Sequence, residues 1–127
     1  MAKKKIMPIK KILVVDDSAV QRHFIGEILK AKGYEVSFAE DGDAGVLMAR
    51  AQMPDLILMD VVMPGLNGFQ ACRAITKDPV TEKIPVILCT TKGQETDKIW
   101  GMRQGAKDYV TKPVNSVELL SKIAALG

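Results

Sequence analysis

The sequence is poor in the residues that most metal centres and nucleophilic enzymes rely on. It holds one histidine, His23, and two cysteines, Cys72 and Cys89, in 127 residues. One histidine cannot build a His-rich metal site, and a phosphotransfer role would need a helical-bundle context that the pattern lacks, so it is read as a surface or edge residue of the first helix. Two cysteines without metal-ligand spacing are read as reduced packing residues of a cytoplasmic protein. Aromatic residues make up only 5%. No apolar run approaches the roughly 20 residues that cross a bilayer. The charged start, Met1-Ala-Lys-Lys-Lys, has no apolar segment behind it to make a secretory signal. The excess of positive charge is also thin. The formal charge is +3, and without Lys3, Lys4, Lys5, Lys10 and Lys11 the count is 13 basic against 15 acidic residues. The basic start is therefore read as a solvated tail, and nucleic acid is not an expected partner.

What remains is an alternation. Ile12-Leu-Val-Val15 is a short apolar run of the kind that parallel strands buried on both faces show. Ser18, with Gln21 three residues on, predicts a capping box, and Phe24, Ile25, Ile28 and Leu29 keep helical spacing until Gly33 stops the helix. Glu35 to Ala39 reads as a second strand, and Asp41 opens a second helix through Val46, Leu47, Ala49 and Arg50. Leu56 to Met59 is a third strand, ending in Asp60. Gly68 to Lys77 is a third helix, Pro85 to Cys89 a fourth strand ending in Thr90-Thr91, and about Thr96 to Gln104 a fourth helix closed by Gly105. Asp108 to Thr111 is a fifth strand, followed by Lys112-Pro113 and a last helix capped by Asn115 with Glu118. Five strands alternating with five helices predict a doubly wound α/β sandwich. Met48, Met53, Met59, Met63 and Met102 are read as filling gaps in the core or loops, and Trp100 as packing at a helix flank.

The polar residues gather at strand ends. Asp16 and Asp17 follow strand one, Asp60 ends strand three, Thr90 ends strand four and Lys112 follows strand five. Open α/β sheets bind ligands at the carboxyl ends of their strands. If strands one, three, four and five lie side by side, these ends share one pocket; three carboxylates there would repel, and a hard divalent cation such as Mg²⁺ would relieve the conflict. An ionised carboxylate beside it can attack phosphorus, with Lys112 neutralising the phosphoryl oxygens.

Taken together, Val15-Asp16-Asp17-Ser18, Leu58-Met59-Asp60, Met63-Pro64-Gly65-Leu66-Asn67-Gly68, Thr90 and Tyr109-Val-Thr-Lys112-Pro113 resemble the receiver domain of bacterial response regulators. The resemblance runs from about Lys11 to Ala125 and is nearest to stand-alone, CheY-like receivers. The stretches Met63 to Phe69 and Thr91 to Gly101 are similar to receivers of type IV pilus twitching-motility chemosensory systems. The resemblance implies a flavodoxin-like fold with five parallel strands in the order 2-1-3-4-5. It implies a basic extension over residues 1–10 and a receiver domain over 11–127, with no output domain. Asp60 would be the phosphoacceptor. Mg²⁺ would be held by Asp17, Asp60 and the backbone carbonyl of Val62, with Asp16 acting through water. Lys112 would pair with Asp60 or its phosphate, across a cis Lys112-Pro113 bond. Thr90 and Tyr109 would form the switch. The donor would be a histidine kinase or phosphotransfer domain. The receiver, a monomer, would signal to a downstream motility protein through the face of helix four, strand five and helix five.

Three positions depart from common family patterns: Val62 lacks a polar side chain, Thr91 stands where alanine is frequent, and Lys92 lies two residues after Thr90. The expected function is a phosphoacceptor switch that catalyses only its own phosphorylation and dephosphorylation. The alternatives are a phosphate sink in the same relay or a Mg²⁺-dependent aspartyl-phosphate hydrolase. The hydrolase would want Asp-x-Asp and a cap domain. A flavin- or nucleotide-binding protein of the same topology would want a phosphate loop after strand one.

Overall fold

A computed structural model of the chain describes residues 9–61, 67–91 and 102–126, without the side chain of Thr91. The strands are β1 (Lys11–Val15), β2 (Glu35–Ala39), β3 (Leu56–Asp60), β4 (Val86–Thr91) and β5 (Asp108–Lys112). They form one sheet in the order β2-β1-β3-β4-β5, and every pairing is parallel. Four helices lie among the described residues: α1 (Ala19–Ala31), α2 (Gly42–Gln52), α3 (Gly68–Lys77) and α4 (Ser116–Leu126). The fifth helix, expected over 96–104, falls mostly outside the described residues, where only Met102 and Arg103 show helical backbone. None of the described helices is long and apolar enough to cross a membrane.

The apolar runs do what their continuity predicts. All five residues of β3 are buried, because successive side chains point to opposite faces and both faces are covered. Leu13, Val15, Ile57, Met59 and Leu88 join Ala71, Cys72 and Ile75 of α3 in one core cluster. Ile12, Val14, Leu58, Cys89 and Val110 join Ile25 and Leu29 of α1 and Leu119 and Ile123 of α4 in the other. The sheet thus separates two cores, with α2 and α3 on one face and α1 and α4 on the other, as right-handed crossovers require. Each buried Leu or Ile contributes about 1.5–3 kcal/mol, so the apolar clusters hold the strand ends in place.

Ser18 caps α1 by accepting from the Gln21 amide at 3.3 Å, but the box is half formed: Gln21 Oε1 is buried and has no hydrogen-bond partner. A complete capping box lies instead at Asn67 and Gln70, at the start of α3. Gly33 has φ of +92° just past α1, as a stop glycine should. Helix α2 ends on a left-handed residue that is not glycine, Met53, at φ 48°. Phe24, which keeps helical spacing with Ile25, Ile28 and Leu29, is instead 46% exposed. Met53 and Met102 also stand half in solvent, so the gap-filling reading holds for Met59, which is fully buried, and for Met48, which packs against the core. Both cysteines are buried and free, as expected of packing residues.

Gly68 fixes how α3 meets the sheet. Its amide donates to the Val61 carbonyl at 3.0 Å. A β-carbon there would lie 2.1 Å from the Asp60 carbonyl oxygen and 2.7 Å from Val61 Cα. Both neighbours are backbone and cannot swing aside. Gly68→Ala is therefore expected to cost about 1–3 kcal/mol, the range of overpacking in a close-packed site. Urea unfolding checks this, and a variant within about 0.5 kcal/mol of the parent, the scale of a neutral surface change, would contradict it.

Candidate functional site

Strands β1, β3, β4 and β5 are contiguous, so their carboxyl ends line one edge of the sheet. Asp16 follows β1 directly and stays in the sheet's frame, its amide donating to the Ala39 carbonyl at 3.1 Å. Asp60 is the last residue of β3 and lies beside Cys89 in register. Lys112 ends β5, in register with Thr91. Two strand spacings, roughly 10 Å, separate β5 from β3, and only a long side chain can cover that gap. Lys112 does so: its Nζ lies 2.7 Å from Asp60 Oδ1 and 3.4 Å from Asp16 Oδ2.

The three acids come together. Carboxylate oxygens of Asp16, Asp17 and Asp60 all lie within 4.8 Å of one another. Asp16 and Asp60 are buried, at 2% and 4% exposure, while Asp17 faces solvent. A buried pair with an open third member leaves a side from which a solute can enter. Among the described residues the set is three carboxylates against one ammonium, that of Lys112, and such an all-oxygen set suits a hard divalent cation.

Burial pushes the Asp60 carboxyl above its ordinary range, although the hydrogen bond from Lys112 pulls it back, and the charge on Asp16 raises it further. Burial by itself would lower Lys112, but the Asp60 hydrogen bond and the charges of Asp60 and Asp16 outweigh it, so the ammonium form is held above its usual range. Cys89 sits close enough to feel the same charges, yet burial first of all pushes its thiol up to about 12. A neutral, buried thiol is no nucleophile, so the packing reading of Cys89 stands.

Thr90 is 1% exposed, and its Oγ1 has no hydrogen-bond partner among the described residues. An unpaired buried hydroxyl costs about 1–3 kcal/mol and is a group in want of an acceptor or donor. Tyr109 lies on β5 opposite Leu88, two residues from the Thr90–Thr111 pair, so alternation puts Tyr109 and Thr90 on the same face of the sheet. The Lys112-Pro113 bond is cis. Val62, expected to offer its carbonyl to a metal, lies outside the described residues, as do Met63 to Leu66, Lys92, Lys98 and Trp100.

Two supporting residues escaped the sequence reading. The Ser18 amide donates to Asp16 Oδ1 at 2.9 Å, and Arg22 Nη1 donates to the Asp16 carbonyl at 2.7 Å. Ser18 was read only as a helix cap. Arg22 lies one helical turn further on, a spacing that would bring it back toward the strand end. His23, as expected, is exposed on α1.

The raised Asp60 pKa has a stability consequence with a definite sign. A carboxyl that holds its proton more tightly when folded adds stability at low pH and loses it as pH rises through the folded value. Without divalent ions, Asp60→Asn should therefore be more stable than the parent at pH 7, and the gap should close as pH falls toward about 4, the ordinary carboxyl range. Thermal melts of both proteins across that window check it; a gap that widens on acidification would contradict it.

The comparisons with known proteins agree with this geometry. The chain is 55% identical to Protein PilH of Pseudomonas aeruginosa over 116 residues, 91% of this chain and 96% of PilH. Its fold is similar to the chemotaxis protein CheY4 of Vibrio cholerae, with a TM-score of 0.87 and 31% identity over 94% of this chain and 99% of that one. It is also similar to the receiver domain of sensor histidine kinase PA1611 of P. aeruginosa, with a TM-score of 0.85 and 32% identity over 92% of this chain and 96% of that one. That structure has a magnesium ion coordinated in its active site cleft. Residues 12–124 match the response regulator receiver domain, and the chain belongs to that family.

Proposed function

We propose that the chain is a phosphorylatable switch in which Asp60 accepts a phosphoryl group from a phosphohistidine on a histidine kinase or phosphotransfer domain. The observation that carries this reading is the Asp60 carboxylate, buried at the sheet edge, 2.7 Å from Lys112 Nζ and within 4.8 Å of two further carboxylates. An Asp60 oxygen attacks phosphorus. The P–N bond to the donor imidazole breaks, and its electron pair leaves with the imidazole nitrogen, which takes up a proton. Lys112, already beside Asp60, neutralises charge on the phosphoryl oxygens. The Thr90 hydroxyl, otherwise unpaired, supplies a hydrogen bond to one of them.

Mg²⁺ suits this donor set: Asp17 and Asp60 would hold it directly and Asp16 through water, with the carbonyl of Val62, which lies outside the described residues, as the further expected ligand; when bound it would offset negative charge on the reacting oxygens. In this reading residues 11–127 are the receiver unit and residues 1–10 a basic extension.

The output follows from Thr90. A hydroxyl drawn toward the phosphoryl group vacates space on the face that Tyr109 shares, and Tyr109 turns inward. The partner surface is then the region around Tyr109 and the start of α4; Lys98 and Trp100, expected on the same surface, lie outside the described residues. The motif resemblance to twitching-motility receivers, with the 55% identity to PilH, supports a role in chemosensory control of motility. The protein acts on itself and not on an external phosphate ester, and works in the cytoplasm as a monomer.

Labelling by a small phosphodonor such as acetyl phosphate, followed by intact-mass analysis, tests the reading. The parent should gain one phosphoryl group and Asp60→Asn none, because an amide is a poor nucleophile. Full labelling of Asp60→Asn would place the acceptor elsewhere.

A further inference from the structure

We propose that Lys122 is a positioning residue for the switch: it latches Tyr109 in its resting orientation from the far side of the sheet edge. The proposal rests on the reading of Tyr109 as part of the switch and adds a residue that sets its resting balance.

Lys122 belongs to α4, whose Leu119 and Ile123 pack with Val110 in the core on one face of the sheet. Tyr109 packs partly against the core on the other face. The two meet because β5 is an edge strand, and a long side chain can pass around it. Lys122 Nζ accordingly donates to the Tyr109 carbonyl at 2.5 Å, lies 3.2 Å from Asp108 Oδ1, and sits 4.6 Å from the centroid of the Tyr109 ring. Glu118 Oε2 is a more distant partner at 3.9 Å.

The division of these contacts decides what the lysine does. The carbonyl and the Asp108 carboxylate are anchors that hold Nζ in place whatever the ring does, since both belong to the strand's own frame. With the ammonium fixed, the face of the Tyr109 ring is the variable contact. A cation within about 6 Å of a ring centroid attracts it, and the attraction strengthens where water is partly excluded. Lys122 is one-quarter exposed. Any ring orientation that leaves the ammonium forfeits this attraction, whereas the anchoring contacts survive. Lys122 thus stabilises the present orientation relative to every other one, and a differential contact of this kind shifts a two-state equilibrium. It also ties the switch tyrosine on one face to the helix packed on the opposite face.

The experiment uses the whole chain with ¹³C-labelled tyrosine rings. The sequence has two tyrosines, so Tyr34 serves as an internal reference. Mg²⁺ with beryllofluoride, a phosphoryl mimic on Asp60, defines the activated position of the Tyr109 signal in the parent. Without the mimic, Lys122→Met, which keeps the stem and removes the charge, should move the Tyr109 signal along the line toward that position. The ratio of activated to resting protein should rise roughly 3- to 30-fold, the range expected for one cation–π contact. Lys122→Arg, which restores a cation, should return the signal close to the parent's, and Tyr34 should not move in either variant. If beryllofluoride moves Tyr109 in the parent but Lys122→Met rests where the parent rests, the latch is wrong and the switch stands. A shift that Lys122→Arg fails to reverse would also overturn the latch, as the signature of lost packing. If beryllofluoride leaves the parent's Tyr109 unmoved, the switch reading itself fails.

Discussion

Three carboxylates share one ammonium group at the carboxyl edge of the sheet. Oxygens of Asp16, Asp17 and Asp60 lie within 4.8 Å of one another, and Lys112 Nζ reaches only two of them, at 2.7 and 3.4 Å. Like charges this close oppose their own ionisation, and burial of Asp60 adds to the cost. The arrangement persists because the strands carrying it are buried on both faces and are not free to part. The apolar clusters on either side of the sheet supply the stability that the polar edge draws on, and the electrostatic tension left at that edge is what a cation can relieve.

The same constraint explains the supporting contacts. Asp16 is held by the Ser18 amide on its side chain and by Arg22 on its carbonyl, so it cannot rotate away from its neighbours. Gly68 lets α3 begin directly against the Asp60 carbonyl, where any side chain would force the strand end outward. The unpaired Thr90 hydroxyl is a second unsatisfied group, on the face of the sheet shared with Tyr109. The acids and the Thr90 hydroxyl lie at the carboxyl ends of neighbouring strands, and in the proposed switch Lys122 holds Tyr109 from the edge strand.

Much of this was legible in the sequence. Apolar runs of four residues ending in aspartate, as at Ile12–Val15 and Leu56–Met59, announce parallel strands and where their polar ends fall, but which of those ends meet depends on the strand order. The strand order and the cis Lys112-Pro113 bond came only from family resemblance, since periodicity says nothing about which strands are neighbours. Exposure on helices was harder. Phe24 shares the spacing of core residues yet faces solvent, because spacing gives a stripe but not its width. Ser18 was visible as a cap but not as a ligand of Asp16, and Lys122 was invisible, because its contacts depend on an edge strand and a helix meeting around it. Met53 ended α2 in a left-handed conformation where a glycine would have been expected.

The central claim is that the acid cluster is incomplete without a cation and that the exposed Asp17 supplies part of its hold. Thermal melting of the parent and of Asp17→Ala with increasing Mg²⁺ at pH 7 tests it most directly. A ligand that binds only the folded state stabilises it by about 2.7 kcal/mol at a hundred times its dissociation constant. The parent's melting temperature should therefore climb by several degrees as Mg²⁺ saturates, and Asp17→Ala should require far more Mg²⁺ for the same gain. A parent that ignores Mg²⁺, or an Asp17→Ala protein that responds at the same concentrations, would contradict the account.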